Sequence, residues 1–429
     1  MSVLKTTYAN LDSQNIDLDG LGNLTATAVT IGDSRTASGT DSASFKDRGW
    51  FVWLNILLRQ RLEYVNNASV PGDTTSQMLA RVNSDVLAYN PGWVFHYGFV
   101  NDIQRPANDG SKEFADGIIA NLHAIYTLAR SKGAKLVVLS ETPSTLAYNT
   151  AAKRSQVNYI MNWQREYCVR TPGCYFIDVF SPLLDINSSV GAGFSGYSYD
   201  ELHQTGQGNR KMADACFKVL DGVIPKGYLV GTSLIDVCSN ENQYGNILTN
   251  GCMAGSAASN IGTNVTGVTP IGWNNKLESG IVTNCVTSKV PSQSIFGAQE
   301  ILQTVSVAQD NTTVRIDNLV TVLPAGINVG DTVFAAIDVS LNIISGNVDF
   351  CSLFLQFRDA LNVQTALISA CEGADNVFSS FSGRQRTKNF AIPANTTNIF
   401  FAVRTRADNG AQFEVRVGNN AELRKVRKI

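Results

Sequence analysis

The chain carries little charge. Asp, Glu, Lys and Arg make up 16% of its 429 residues, and the net charge is −2. No long run of Lys and Arg occurs, so the basic footprint that nucleic-acid binding needs is missing. The short cluster from Arg424 to Lys428 reads as a solvated tail or strand end. No apolar run approaches the roughly 20 residues that span a bilayer. Met1 to Asn15 holds one Lys and no apolar block, so it does not read as a signal peptide. The eight cysteines never fall as Cys-x-x-Cys, which removes the usual spacing of a structural zinc site. Cys168 and Cys174 flank a Thr-Pro-Gly turn at a spacing that can close a small disulfide loop. Cys238 with Cys252 is a weaker pair, and buried thiols are the alternative for all of them. No pair of acidic residues stands out as a glycosidase dyad. Histidine is scarcest of the reactive residues, with only His96, His123 and His203.

Apolar residues, at 44%, suffice for a buried core, and the length suits two or three domains. Plentiful Gly, Ser, Thr and Asn suit an extracellular or virion-surface protein rich in strands and loops. From Thr25 to about Val223, short apolar runs alternate with helical stretches. Strands are expected at Thr25–Ile31, Glu63–Asn67, Trp93–Tyr97, Lys135–Ser140 and Cys174–Val179. Helices are expected at Trp50–Arg61, Thr75–Leu87, Lys112–Ser131, Ala151–Val169 and Gly206–Leu220. Strands alternating with helices imply a parallel sheet covered on both faces, an α/β architecture of three α/β/α layers. After about Lys226 the texture changes. Residues 227–300 read as a linker or irregular region packing with the C-terminal domain, and 301–429 as an antiparallel β-sandwich of jelly-roll type with alternating strands. Residues 1–24 read as an N-terminal extension and 25–226 as the α/β domain.

Gly32-Asp33-Ser34 directly follows the first strand, where a doubly wound sheet binds its ligands. Alone it is equally a turn or a helix cap. A serine nucleophile needs a base. His123 lies mid-helix and reads as structural or surface, and His96 lies inside an apolar strand and reads as a core residue. His203 lies in a polar loop before a helix, three residues after Asp200, a spacing at which one turn brings carboxylate to imidazole. By itself this pair could also be a capping turn. Donors for an oxyanion are available from the Ser34 amide, the Gly72 amide in Pro71-Gly72-Asp73, and the Asn101 side chain in Gly98-Phe99-Val100-Asn101-Asp102.

These ordered blocks resemble the SGNH (GDSL-like) hydrolase family. The first matches Gly32-Asp33-Ser34, with Arg35 where the name-giving leucine stands. The second matches Gly72, the third Gly98 to Asp102, and the fifth Asp200 to His203, followed by Gly208 and Met212-Ala213. Leu139–Pro143 looks like the family's loop after the fourth strand. The resemblance covers about residues 25–222. It implies a serine esterase with Ser34, His203 and Asp200 as catalytic residues and Ser34, Gly72 and Asn101 as oxyanion hole, working by double displacement without metal or cofactor.

The last part of the chain resembles carbohydrate-binding jelly rolls of glycan-active enzymes and phage tail proteins, through Ile247–Trp273, Asp331–Leu341, Phe350–Asp359, Lys388–Pro393 and Phe400–Val417. Trp273 is its candidate sugar contact, with Phe296, Phe378 and Phe381 also noted. This implies a carbohydrate O-acetylesterase acting on an acetylated polysaccharide or small ester, outside the cell or on a phage virion. A trimer would suit a tail protein. A lipase or acyl thioesterase, and a glycan-binding adhesin with an inactive hydrolase half, are the alternatives.

Overall fold

The computed structural model describes residues 26–37, 49–225, 234–293, 298–371 and 379–426. The expected extension 1–24, Phe296 and Phe378 lie outside these residues. The chain divides into two units. The first holds 26–37, Gly49–Leu54 and Arg61–Ile224; the second holds Asn55–Gln60 and the described residues from 225 on.

The first unit is built on five parallel strands: β1 (Thr27–Gly32), β2 (Glu63–Asn67), β3 (Trp93–Tyr97), β4 (Lys135–Leu139) and β5 (Cys174–Ile177). Their spatial order is β2-β1-β3-β4-β5. Every residue of β3 and all but the first of β1 and β4 are buried, as apolar strands covered on both faces must be. The helices are α1 (Ser34–Ala37), α2 (Trp50–Leu57), α3 (Thr75–Asp85), α4 (Val100–Gln104), α5 (Lys112–Arg130), α6 (Ala151–Arg170) and α7 (Gly206–Leu220). In α5, Ile118, Leu122, Ile125, Tyr126 and Ala129 form one helical stripe. They share a hydrophobic cluster with Val29, Ile31, Val94, Leu136 and Val138 of the sheet. Side-chain caps set the starts of three helices: Ser111 accepts from Phe114 N, Thr150 from Lys153 N and Thr205 from Gly208 N, each at 3.2 Å. Helix α2 stops short of the expected Arg61 because Arg59 and Gln60 take left-handed backbone, with φ of 56° and 58°.

The second unit holds β6 (Asn260–Ile261), β7 (Val265–Gly267), β8 (Trp273–Ser279), β9 (Val282–Pro291), β10 (Gln299–Val307), β11 (Thr312–Val320), β12 (Thr332–Ser345), β13 (Val348–Arg358), β14 (Gln364–Ser369), β15 (Phe381–Arg386), β16 (Phe390–Ala391), β17 (Asn398–Ala407), β18 (Gln412–Val417) and β19 (Glu422–Lys425). They form a six-stranded sheet of order β14-β13-β17-β11-β8-β6 and an eight-stranded one containing β15-β12-β18-β10-β9-β7. Gln412–Val417 (β18) alternates buried and half-exposed residues along its length, the period-2 signature of a strand with one face in a core. Pairing is antiparallel except where Asn260–Ile261 (β6) lies parallel to Trp273–Ser279 (β8), and Val265–Gly267 (β7) parallel to Val282–Pro291 (β9). These four strands correct the expectation of an irregular linker over 227–300. Their register is carried by side-chain amides such as Asn275 and Asn264, bonded to backbone carbonyls, rather than by apolar alternation. Trp273 is a second correction. It is fully buried, its indole N–H donates to Asn250 O at 2.9 Å, and its ring meets Phe401 edge-on. It is a core residue with no face to offer a sugar. Phe381 is likewise buried.

The eight cysteines are all free thiols, most of them buried, which also corrects the expected Cys168–Cys174 bridge. Those two thiols are hydrogen-bonded, which pushes Cys168 up and draws Cys174 down. A thiol titration of the denatured, unreduced protein should therefore count eight; a disulfide would remove two.

Candidate active site

Parallel order β2-β1-β3 reverses direction between β1 and β3, and loops leaving such a switch point splay apart into a crevice. The loops after β1 and β3 carry Ser34 and Asn101. After Gly32 the chain turns at once: Thr36 N and Ala37 N both donate to Asp33 O, at 3.1 and 3.0 Å. That turn begins α1 at Ser34. Gly98 has φ +138°, and a Cβ there would stand 2.5 Å from Asp33 Oδ2, so only glycine lets the two loops approach this closely.

Ser34 Oγ lies 2.8 Å from His203 Nε2, across 169 residues of sequence. On the far side of the ring, His203 Nδ1 lies 2.6 Å from Asp200 Oδ2. The carboxylate's other oxygen accepts from the Leu202 and His203 amides at 3.0 and 2.6 Å. The turn is tight enough to put Glu201 in left-handed backbone, φ 63°. Burial pushes the Asp200 carboxyl up, but the His203 and Leu202 amides and the imidazole outweigh it and hold it below the usual carboxylate range. An ionised Asp200 requires the proton on Nδ1, which leaves Nε2 to accept from the Ser34 hydroxyl.

Gly72 and Asn101 are joined through the residue between their loops: Asn101 Nδ2 donates to Asp73 O at 2.9 Å. Gly72 is exposed with φ +83°, and the space beside its Cα is open. The same two loops meet again at Asp102, which accepts from Thr75 N and Thr75 Oγ1, both at 2.9 Å. Ser34, His203 and Asp200 thus form one hydrogen-bonded line, and Gly72 and Asn101 a second group. Trp273 belongs to the core of the second unit.

The other two histidines are structural. His96 is buried, with Nδ1 3.1 Å from Tyr126 Oη. Its Nε2 is buried without a partner among the described residues, and burial lowers its pKa to about 4, so it stays neutral. His123 packs against the rings of Trp163 and Tyr167. Two features escaped the motif analysis. Arg35, which stands where the name-giving leucine stands, is wholly buried between Asp33 and Glu141. Tyr199 stands 65% exposed with its ring within 13° of parallel to His203 and 6.1 Å away. Adjacency to Asp33 and Asp200 was the available signal for each.

Residues 30–211 match the model of the GDSL-like lipase/acylhydrolase family. Over these residues, less than half of the chain, the first unit is similar to that family. Solved structures similar to the chain include a GDSL-like lipase from Bacteroides thetaiotaomicron, at 17% identity and TM-score 0.36, covering 51% of this chain and 97% of that one. Another is a mutant of an acetylxylan esterase from Geobacillus stearothermophilus, at 18% identity and TM-score 0.38, covering 45% of this chain and 92% of that one. No curated protein matches the chain. Among the described residues, no helix is long and apolar enough to cross a membrane.

Asp102 of the first unit gives a test of the loop geometry. Burial is the main cause that pushes its carboxyl up to about 6, against the Thr75 hydrogen bonds. A raised carboxyl binds its proton more tightly in the folded protein. Its stabilising contribution is therefore full below about pH 4, the unfolded value, and is lost as pH rises through about 6. Asp102→Asn cannot titrate, so the difference in melting midpoint between wild type and variant should change across that window and level off above it. A constant difference from pH 4 to 7 would contradict the burial of this carboxyl.

Proposed function

We propose that the protein is a serine esterase that removes O-acetyl groups from a polysaccharide, with Ser34 as nucleophile, His203 as base and Asp200 as its orienter. The observation that carries the reading is the unbroken line Ser34 Oγ, His203 Nε2, His203 Nδ1, Asp200 Oδ2, with contacts of 2.8 and 2.6 Å. His203 takes the Ser34 proton as Oγ attacks the ester carbonyl. Negative charge moves to the carbonyl oxygen, and the amides of Ser34 and Gly72 and the Asn101 side chain donate to it. Asp200 stabilises the imidazolium. His203 then gives its proton to the departing sugar oxygen, leaving an acetyl-serine. Water, deprotonated by His203, attacks that ester and releases acetate. The reaction needs no cofactor.

The carbohydrate part of the reading is supported by aromatic surface at the site rather than by the second unit. Tyr199 beside His203 and Phe194 on the same loop are 65% and 53% exposed. Rings that keep a free face in water can stack on the apolar face of a pyranose. The strand-rich second unit and the composition rich in Gly, Ser, Thr and Asn support an extracellular or virion location, where a trimer is the assembly to look for.

Ser34→Ala should abolish p-nitrophenyl acetate turnover while the circular dichroism spectrum stays native. Asn101→Ala should cost kcat about 100- to 1,000-fold with KM little changed. Full activity in folded Ser34→Ala would end the proposal. In a p-nitrophenyl ester series, acetate preference is expected. Preference for long chains would mean a lipase, and no cleavage a glycan-binding adhesin. On acetylated polysaccharide, Tyr199→Ala should raise KM and leave p-nitrophenyl acetate kinetics unchanged; equal effects on both would remove the ring's role in sugar binding.

A further inference from the structure

Beneath the reacting groups lies a polar cluster that the mechanism above does not use. Arg35 follows Ser34 directly, and its side chain is completely buried. Its Nε and Nη2 donate to Asp33 Oδ1 and Oδ2 at 3.0 and 2.7 Å, a two-pronged bond that fixes the guanidinium plane. Its Nη1 donates to Glu141 Oε2 at 2.5 Å, and the guanidinium lies 4.3 Å from the centre of the Tyr97 ring. Glu141, also completely buried, accepts from the Phe99 amide at 2.6 Å through Oε1. Phe99 lies two residues before Asn101. The neighbouring Thr142 Oγ1 accepts from Gln204 Nε2 at 3.0 Å and bonds Tyr97 Oη at 2.9 Å. Gln204 follows His203 directly.

Two consecutive residues on the loop after β4 therefore touch the chain next to Ser34, two residues before Asn101 and next to His203. We propose that Glu141 and Thr142 are positioning residues for acyl transfer, holding the three separate turns of the esterase site in one register. This rests on the esterase reading. The loop is itself anchored: Ser140 N donates to Ile177 O, and Ser140 Oγ accepts from Val179 N, both at 2.9 Å. Tyr148 Oη donates to Glu141 at 3.2 Å. A carboxylate shared between a guanidinium and a backbone amide resists rotation, because moving it would leave a buried charge or a buried N–H unpaired. A displacement of about 1 Å between nucleophile and base costs on the order of 100-fold in rate, so this rigidity bears on turnover.

Wild-type cleavage of p-nitrophenyl acetate is measured first, and it alone decides the esterase reading. Glu141→Gln keeps the shape and an oxygen for the Phe99 amide but removes the charge facing Arg35. It should lower kcat about 10- to 100-fold with KM nearly unchanged, at a temperature well below its melting midpoint. Thr142→Val removes three hydrogen bonds, to Arg35, Tyr97 and Gln204, and no charge, and should lower kcat about 10-fold in the same pattern. Combining the two should cost less than the product of the single losses, since both act on one register. Independently of turnover, hydrogen exchange at the Phe99 amide should accelerate in Glu141→Ala. Wild-type kcat in the folded variants, a loss confined to KM, or unchanged Phe99 exchange overturns the proposal. If Glu141→Gln does not fold, Thr142→Val decides.

Discussion

The pairing of β1 with β3 is the constraint on which the site depends. Parallel register sets Gly32 opposite Tyr97, so both strands end at the same level and their following loops leave side by side. Because β2 lies outside β1 and β4 beyond β3, the crossovers diverge and leave a crevice at the strand ends. The nucleophile's turn and the Gly98–Asn101 loop enter that crevice from one edge. The loop holding Asp200 and His203 reaches it from far along the chain. A local turn brings Asp200 to His203, but only the sheet brings that pair to Ser34 and the Gly98–Asn101 loop.

Much of the first unit was legible because its strands are apolar on both faces and its helices carry a striped face. Glu63–Asn67, Trp93–Tyr97 and Gly206–Leu220 coincide with their sequence-based bounds, and the ends of the others differ by a few residues where caps or left-handed residues intervene. The line Ser34–His203–Asp200 was legible for a different reason. With only three histidines, one mid-helix and one inside an apolar strand, His203 was the remaining candidate base, and the resemblance to the SGNH family set it beside Ser34 and Asp200. What escaped notice was chemistry without a motif. Arg35 and Glu141 sit in segments that look like ordinary turn and loop, and their burial as an ion pair exists only once β1 and β4 flank β3. A charged residue carries no sign in sequence that its partner stands 106 positions away.

The second unit was harder to read. Its later strands alternate cleanly, as at Gln412–Val417, and were visible. The strands between Asn260 and Pro291 were not, because Asn, Thr and Ser fill positions where a hydrophobic pattern would have announced them. Asn275 and Gln303 are buried there and bonded to each other and to their neighbours, so polar residues do the work of interior packing. The same mixture misled the reading of Trp273. A lone indole among polar residues looks like surface, yet its N–H is satisfied by a buried carbonyl.

The eight reduced sulfurs carry a further meaning. Both units close through hydrogen bonds and apolar contacts with no covalent cross-link between segments, so maturation of the polypeptide requires neither an oxidant nor an isomerase. Reductant in the medium has no bond to cut.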